Sequence, residues 1–145
     1  MLEQQSHTEV VGASIELCFD TIVDFEAYPE WFSGITEAQI IERDDARGLW
    51  TVGYSLDMMI KTLRYTLAYE SERPNRLTWK LTQGDVSDVQ GSYEFVALES
   101  DVTEATCTQG IDVGFWIPGP LRRTFERSAL SDSVGEFKKM AEARA

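Results

Sequence analysis

The feature that most constrains this fold is an alternation of apolar and polar residues that begins near Ile35 and persists to about Val113. Side chains of a strand point alternately to its two faces, so strict alternation predicts a half-buried antiparallel strand. The segment from Leu49 to Met58 is the clearest case. Its predicted inner face carries Trp50, Val52, Tyr54, Leu56 and Met58. Because short turns interrupt the pattern, the sequence predicts a meander of about six strands with one apolar face.

A short helical region precedes this meander. Residues 4–11 indicate a weak first strand, and Ser14 can cap a helix behind it. Apolar residues then recur at helical spacing, which predicts a core-facing helix: Ile15, Cys18, Phe19, Ile22 and Val23. Pro29 disfavours a helical conformation at Tyr28, so this helix should end or turn there. A second short helical turn through Trp31 and Phe32 is expected before Gly34.

A long helix is predicted from about Pro118-Gly-Pro120 to the end of the chain. Its apolar residues do not form one stripe, because Leu121 and Phe125 lie almost opposite the set that follows: Leu130, Val134, Phe137 and Ala141. The helix is therefore expected to touch two apolar surfaces or to be partly unwound at its start. The loop before it, Phe115-Trp-Ile117, is either a hydrophobic staple or a gate.

The arginines of the first turn of this helix, Arg122 and Arg123, oppose the helix dipole. They are expected either to pair with nearby acidic residues or to mark a functional position.

Charge and composition limit the function classes. The net charge of −12 disfavours nucleic acid and anionic membrane surfaces as partners. No stretch has the length and apolarity of a membrane span or the features of a signal peptide, so stable membrane insertion is not expected and the expected location is cytoplasmic. The length of 145 residues predicts a single domain over residues 1–145. Cys18 and Cys107 are expected to be buried thiols.

Most of the common catalytic patterns are missing from the sequence. His7 is the only histidine, so a Ser-His-Asp triad or a histidine metal site would depend on it alone. Two separated cysteines do not match zinc spacing, and there is no glycine-rich phosphate loop. We therefore expect no metal and no cofactor, and the sequence assigns no catalytic residue.

The element order, together with four stretches of sequence, resembles a known superfamily. The stretches are Asp24-Phe-Glu-Ala-Tyr-Pro-Glu-Trp31, Gly84-Asp-Val, Gly91-Ser-Tyr-Glu-Phe95 and Gly114-Phe-Trp-Ile-Pro-Gly-Pro120. They resemble the START-like superfamily, also called SRPBCC or helix-grip, over essentially the whole chain. Within it, the chain is most similar to bacterial polyketide cyclase/dehydrase-like proteins and to the coenzyme-Q-binding protein family. These stretches mark the fold and not a reaction.

The resemblance implies an α+β helix-grip fold. In it, a curved antiparallel sheet of about six or seven strands wraps around a long C-terminal helix, with two short helices after the first strand. It also implies a deep apolar cavity that binds or carries a hydrophobic small molecule such as a lipid, a quinone or a polyketide. The alternative is a polyketide aromatase/cyclase or dehydratase in the same cavity, and a third hypothesis is an interaction module acting on a protein or ribosome.

The residues expected to line this cavity come from the inner face of the sheet, the loop and the last helix: Tyr54, Met58, Tyr65, Trp79, Tyr93, Gln109, Phe115, Trp116, Phe125 and Asp132. Each aromatic residue among them could equally be ordinary core. Gln109 and Asp132 are the candidate polar anchors, although Asp132 could equally face solvent. Gly91 and Gly110 interrupt strand patterns and predict bulges or sharp bends.

Overall fold

The structure is a computed structural model that describes residues 2–58 and 61–145, and at Phe125 only the backbone. The strands within these residues are β1 (Gln5–Val11), β2 (Ile35–Asp44), β3 (Leu49–Asp57), β4 (Thr62–Glu72), β5 (Arg76–Gly84), β6 (Asp88–Glu99) and β7 (Val102–Asp112). The helices are α1 (Ile15–Ile22), a 3₁₀ turn (Phe25–Ala27), α2 (Tyr28–Trp31) and α3 (Gly119–Arg144).

All the strands of the described chain belong to one antiparallel sheet with the order β1-β7-β6-β5-β4-β3-β2. β1 therefore pairs with the last strand, and the meander runs from there across the sheet to β2. The sheet is curved and open, and the long helix α3 lies along it. The predicted α+β fold, with two short helices after the first strand, is confirmed.

The first helix forms where the sequence predicted it. The backbone N–H of Leu17 donates to the Ser14 hydroxyl oxygen at 3.2 Å, which satisfies one free donor of the first turn. Cys18, Phe19 and Ile22 are buried along one face. This helix fixes the connection between β1 and β2 against the core.

The predicted end of this helix at Tyr28 is wrong. α1 ends at Ile22, and Tyr28 is itself helical as the first residue of α2. The reason is that Pro29 lies in the first turn of a new helix, where its missing N–H is not needed. This arrangement turns the Tyr28 side chain into the core, where it is 5% exposed.

Gly91 and Gly110 do not lie at bulges. The irregular registers fall elsewhere, within β2–β3, β4–β5 and the far end of β6–β7. A side chain at Gly110 would meet the carbonyl of Glu3 at 2.6 Å, and one at Gly91 would meet the indole of Trp79 at 2.4 Å. Both glycines therefore allow a neighbouring part of the chain to approach the strand closely, and they do not serve to bend it.

The C-terminal half of α3 is buried and the N-terminal half is exposed. Leu130, Val134, Phe137 and Ala141 are at most 3% exposed, and the helix packs mainly on β1. Leu121, in contrast, is 64% exposed. The expected second apolar contact surface of this helix is therefore not made by Leu121, and the side chain of Phe125 lies outside the described residues.

Within the described part of the chain, no helix combines the length and the apolarity needed to cross a membrane.

Candidate functional site

A small interior cavity lies between the inner face of the sheet, the short helices and α3, and its volume is about 70 Å³. Its walls come from α1, α2, the six strands β2 to β7 and α3. The lining residues are Ile22, Tyr28, Phe32, Ile35, Tyr54, Tyr65, Leu67, Tyr69, Trp79, Tyr93, Cys107, Gln109 and Ser133. No lining residue carries a formal charge, so the cavity is an apolar space with polar tips.

All five tyrosines of the chain line this cavity. The Tyr54 hydroxyl on β3 and the Tyr69 hydroxyl on β4 are 2.7 Å apart and hydrogen-bonded, although the register pairs Tyr54 with Tyr65. The Tyr28 hydroxyl donates to the carbonyl of Ile22 at 2.5 Å. A buried phenol needs such partners, so the tyrosine hydroxyls form the polar part of the wall.

Burial keeps these groups neutral. Desolvation raises the pKa of each of the five tyrosines above its ordinary value, because a phenolate would lose its hydration inside the core. Burial likewise raises the pKa of the Cys107 thiol to about 12. Near neutral pH the cavity therefore offers hydroxyl donors and acceptors, but neither a thiolate nucleophile nor a charged base.

Half of the residues predicted for the cavity do line it: Tyr54, Tyr65, Trp79, Tyr93 and Gln109. They share the inward-facing positions of β3, β4, β5, β6 and β7. Whether they bind a ligand stays a prediction.

The other predicted residues lie elsewhere. Met58 packs half-buried against the core but does not line the cavity, and Trp116 is 85% exposed. Phe115 is also exposed, and Phe125 lies outside the described side chains. Asp132 is exposed, because it lies on the opposite side of α3 from the buried stripe.

Several cavity residues were missed by the sequence reasoning. The alternation of β4 predicts Tyr69 on the inner face, but the predicted cavity set does not include it. Tyr28 lies in the short helix α2 and Phe32 directly follows it, where no periodicity indicates an inward direction. Ser133, rather than Asp132, is the α3 residue that reaches the cavity, and its spacing from Leu130 and Phe137 on the apolar stripe could have indicated this.

The loop between β7 and α3 lies near two other loops at one end of the sheet. The Lys61 ammonium group is 5.9 Å from the centre of the Phe115 ring. A side chain at Gly114 would meet the Ser87 hydroxyl at 2.7 Å. The loop thus contacts the β3–β4 and β5–β6 connections, and its role as a gate stays a prediction.

The arginines at the start of α3 differ in their contacts. Arg122 faces Glu126 across one helical turn at 4.0 Å, as the acid-pairing interpretation predicted. Partial burial raises the pKa of Glu126, and Arg122 counteracts that shift. Arg123 is exposed and forms no ion pair with the side chains described.

His7 lies on β1 and contacts Glu9 at 2.7 Å, outside the cavity lining. In residues 2–58 and 61–145, no cluster of three or more His, Cys, Asp or Glu residues is arranged to hold a metal ion. Cys18 and Cys107 are free, buried thiols, as expected.

A larger groove of about 550 Å³ lies on the outer face of β2, β3 and β4. Exposed polar and charged side chains dominate its rim, among them Glu37, Arg64 and Asp85. Its floor is open to water, whereas ligand sites for apolar molecules are concave and mostly apolar. The smaller interior cavity is therefore the stronger candidate.

Comparison with known proteins defines the class. Residues 11–138 match the family described as "Polyketide cyclase / dehydrase and lipid transport". The match spans most of the chain, so the protein belongs to this family. No curated protein matches the chain at a significant level.

Solved structures share the whole fold. A START superfamily protein from Mycobacterium smegmatis has a TM-score of 0.88 at 24% identity, covering 98% of this chain and 99% of its own. The Zhui aromatase/cyclase from a Streptomyces species has a TM-score of 0.84 at 17% identity, covering 99% and 96%. A protein from Thermus thermophilus has a TM-score of 0.80 at 18% identity, covering 98% and 96%. At these identities the likeness establishes the START-like fold alone.

Proposed function

We propose that the protein binds and carries a neutral hydrophobic small molecule, of lipid, quinone or polyketide type, in the cavity between the sheet and α3. The observation that carries this proposal is the cavity wall, where five tyrosines and a tryptophan surround a space without a charged side chain. Apolar walls with a few placed polar groups are typical of sites for such molecules.

The cavity must expand to hold a ligand of ordinary size. Its volume is about 70 Å³, whereas ligand sites usually enclose roughly 300–1,000 Å³. The exposed N-terminal half of α3 and the loop before it can move with little loss of buried area, since Leu121 and Trp116 are already in water. We therefore place ligand entry at this end of the sheet.

The energy of burial is sufficient for binding. Covering roughly 300 Å² of apolar ligand surface gives about 7 kcal/mol at ~25 cal/mol/Å². Association and the opening of the cavity remove several kcal/mol of this. Useful affinity therefore requires a mostly apolar ligand of at least two rings or an equivalent chain.

A polyketide aromatase/cyclase is the second candidate. It is favoured by the hydrogen-bonded Tyr54 and Tyr69 pair, which could hold a ketone oxygen while the cavity shapes the chain. It ranks second because no carboxylate or histidine among the lining residues can act as a general base.

Extraction of the purified protein with organic solvent, followed by mass spectrometry, tests the proposal directly. We expect a hydrophobic molecule from the wild-type protein. Ser133→Phe should exclude it, because residue 133 is half-buried and lines the cavity. Ser128→Phe is the matched control, since residue 128 is exposed on the same helix.

Two results would count against carriage. One is the absence of both an extracted molecule and any binding from a panel of quinones, lipids and polyketide-like ketones. The other is equal retention by the wild type and Ser133→Phe. Turnover of a poly-ketone substrate that Tyr54→Phe abolishes without weakening binding would favour the enzyme instead.

A further inference from the structure

The indole N–H of Trp79 is a buried donor without an acceptor. Its Nε1 atom is inaccessible to solvent and makes no hydrogen bond to the described residues. A buried donor without a partner has lost its hydration with nothing in exchange, and such groups are uncommon in folded proteins. Trp79 lines the cavity, so expansion of the cavity around a ligand can bring an acceptor to this donor.

The position of this donor is set by the sheet. Trp79 on β5 is in register with Gly91 on β6, and Gly91 with Gln109 on β7. A side chain at Gly91 would lie 2.4 Å from the indole Cε2 atom and 2.5 Å from Nε1. The indole therefore lies over Gly91 on the inner face, on the side of β5 that leads to Gln109, which also lines the cavity.

Some of the other buried polar groups have partners within the protein, and the buried Gln5 Nε2, which has none, belongs to a residue outside the cavity lining. The Trp50 indole N–H donates to the Asp45 carboxylate at 2.9 Å, and Trp50 does not line the cavity. The Tyr54 and Tyr69 hydroxyls bond to each other. Trp31 Nε1 is also unpaired, but Trp31 lies outside the cavity lining. Trp79 is thus the cavity residue, among those described, whose buried donor lacks a partner.

The surroundings decide what kind of acceptor fits. No lining residue is a lysine or arginine, so a carboxylate or phosphate would be buried without a counter-charge. The rings of Tyr69 and Tyr93 lie 6.0 Å from that of Trp79 and give an aromatic wall. A neutral ring with a carbonyl oxygen satisfies both conditions.

We propose that the Trp79 indole N–H is the polar anchor of this cavity and donates a hydrogen bond to a carbonyl oxygen of a neutral ring ketone or quinone. Gln109 follows Gly91 in the same register across the sheet, so it is placed to contact the same end of the ligand. This inference rests on the proposed function, and it narrows the ligand class by excluding fatty acids held through a buried carboxylate.

A matched pair of probes tests the anchor. α-Tetralone and tetralin share two fused rings and differ by one carbonyl oxygen. We expect wild-type protein to bind α-tetralone about tenfold more tightly than tetralin, which is the size of one net hydrogen bond. Trp79→Phe should remove this preference while changing the tetralin Kd much less. Trp50→Phe is the control and should keep the preference, because its indole N–H is engaged by Asp45.

The indole resonances give a direct second measurement. In a proton–nitrogen correlation spectrum, the Trp79 N–H signal should move downfield on addition of α-tetralone and not of tetralin. The Trp50 and Trp31 signals should stay in place. If Trp79→Phe prefers the ketone as strongly as the wild type does, and the Trp79 signal of the wild type does not shift, Trp79 is not the anchor. That result would leave the proposed function intact. Failure of both probes to bind the wild type would count against the proposed function itself.

Discussion

The two halves of α3 lie in one continuous helix but differ in what they contact. In the C-terminal half, Val134, Phe137 and Ala141 are fully buried against the sheet and α1. In the N-terminal half, Leu121, Arg122 and Arg123 face water. The C-terminal half therefore stabilises the fold, while the N-terminal half can move without exposing much new apolar surface.

This difference explains how one helix can both stabilise the fold and let a ligand enter the cavity. The Phe137 ring is tilted against the Tyr93 ring at 5.1 Å and stacks with Phe95 at 5.8 Å, so the anchored half packs against the cavity wall at Tyr93. The loop around Phe115 and the first turns of α3 lie toward the opposite end of the sheet, where we propose that a ligand enters. Four changes, in order of decreasing expected effect, test this division.

Raising the pH should have the largest effect, because it ionises the tyrosines of the unfolded chain before those of the cavity. Tyrosines of the unfolded chain ionise near pH ~10, whereas burial raises the pKa of all five in the folded protein. The unfolded state then binds fewer protons. The contribution of these tyrosines to the free energy of unfolding is therefore wholly present below pH ~10. It falls as the pH rises toward the raised pKa values. The loss is about 1.4 kcal/mol per pH unit for each protonated tyrosine.

Urea unfolding from about pH 8 to about pH 11 measures this dependence. Tyr65→Phe should reduce the slope of the free energy of unfolding against pH by the contribution of one tyrosine. Phenolate absorbance that appears in the folded protein at the ordinary tyrosine pKa would show instead that the cavity is open to water.

Phe137→Ala should lower the free energy of unfolding by about 3–5 kcal/mol, because it removes a fully buried ring from the anchored half. Leu121→Ala is the control in the exposed half and should change it by about 0.5 kcal/mol or less. Denaturant unfolding of both variants gives the comparison. Equal effects of the two substitutions would contradict the division of α3.

Gly91→Ala should destabilise the protein by about 1–3 kcal/mol, because the new methyl group would lie 2.4 Å from the Trp79 ring. Gly135→Ala, on α3, is the opposite case. No atom lies within 4 Å of its added methyl group, and helix propensity should stabilise it by roughly 0.5–1 kcal/mol. Thermal or urea unfolding decides the sign of each change, and a stable Gly91→Ala would mean that the indole is free to move.

Trp116→Ser should have the smallest effect on stability, about 0.5 kcal/mol or less, because the side chain is 85% exposed. If the loop is the gate, the association rate of a fluorescent hydrophobic probe should nevertheless change in a stopped-flow measurement. Substitution of the exposed Val96 on β6 by Ser is the control at a distant surface. Equal rates for both variants and the wild type would exclude Trp116 from the entry path.

The sequence predicted the sheet better than the cavity. Alternation in β3 and β4 placed Tyr54 and Tyr65 on the inner face, and the structure has them there. Periodicity could not place Tyr28, because its direction depends on how α2 turns at Pro29. Helical periodicity could have favoured Ser133 over Asp132, since only Ser133 lies beside the apolar stripe of Leu130 and Phe137.

The sequence alone determined which residues are apolar, where strands alternate and where helices can begin, because these depend on neighbours along the chain. The tertiary structure decided how α2 turns Tyr28 into the core, how far the cavity closes and why residue 91 is glycine. Those features depend on atoms that meet across strands, such as the Trp79 indole over Gly91. The sequence of one strand does not show which side chain of the neighbouring strand will pack against it.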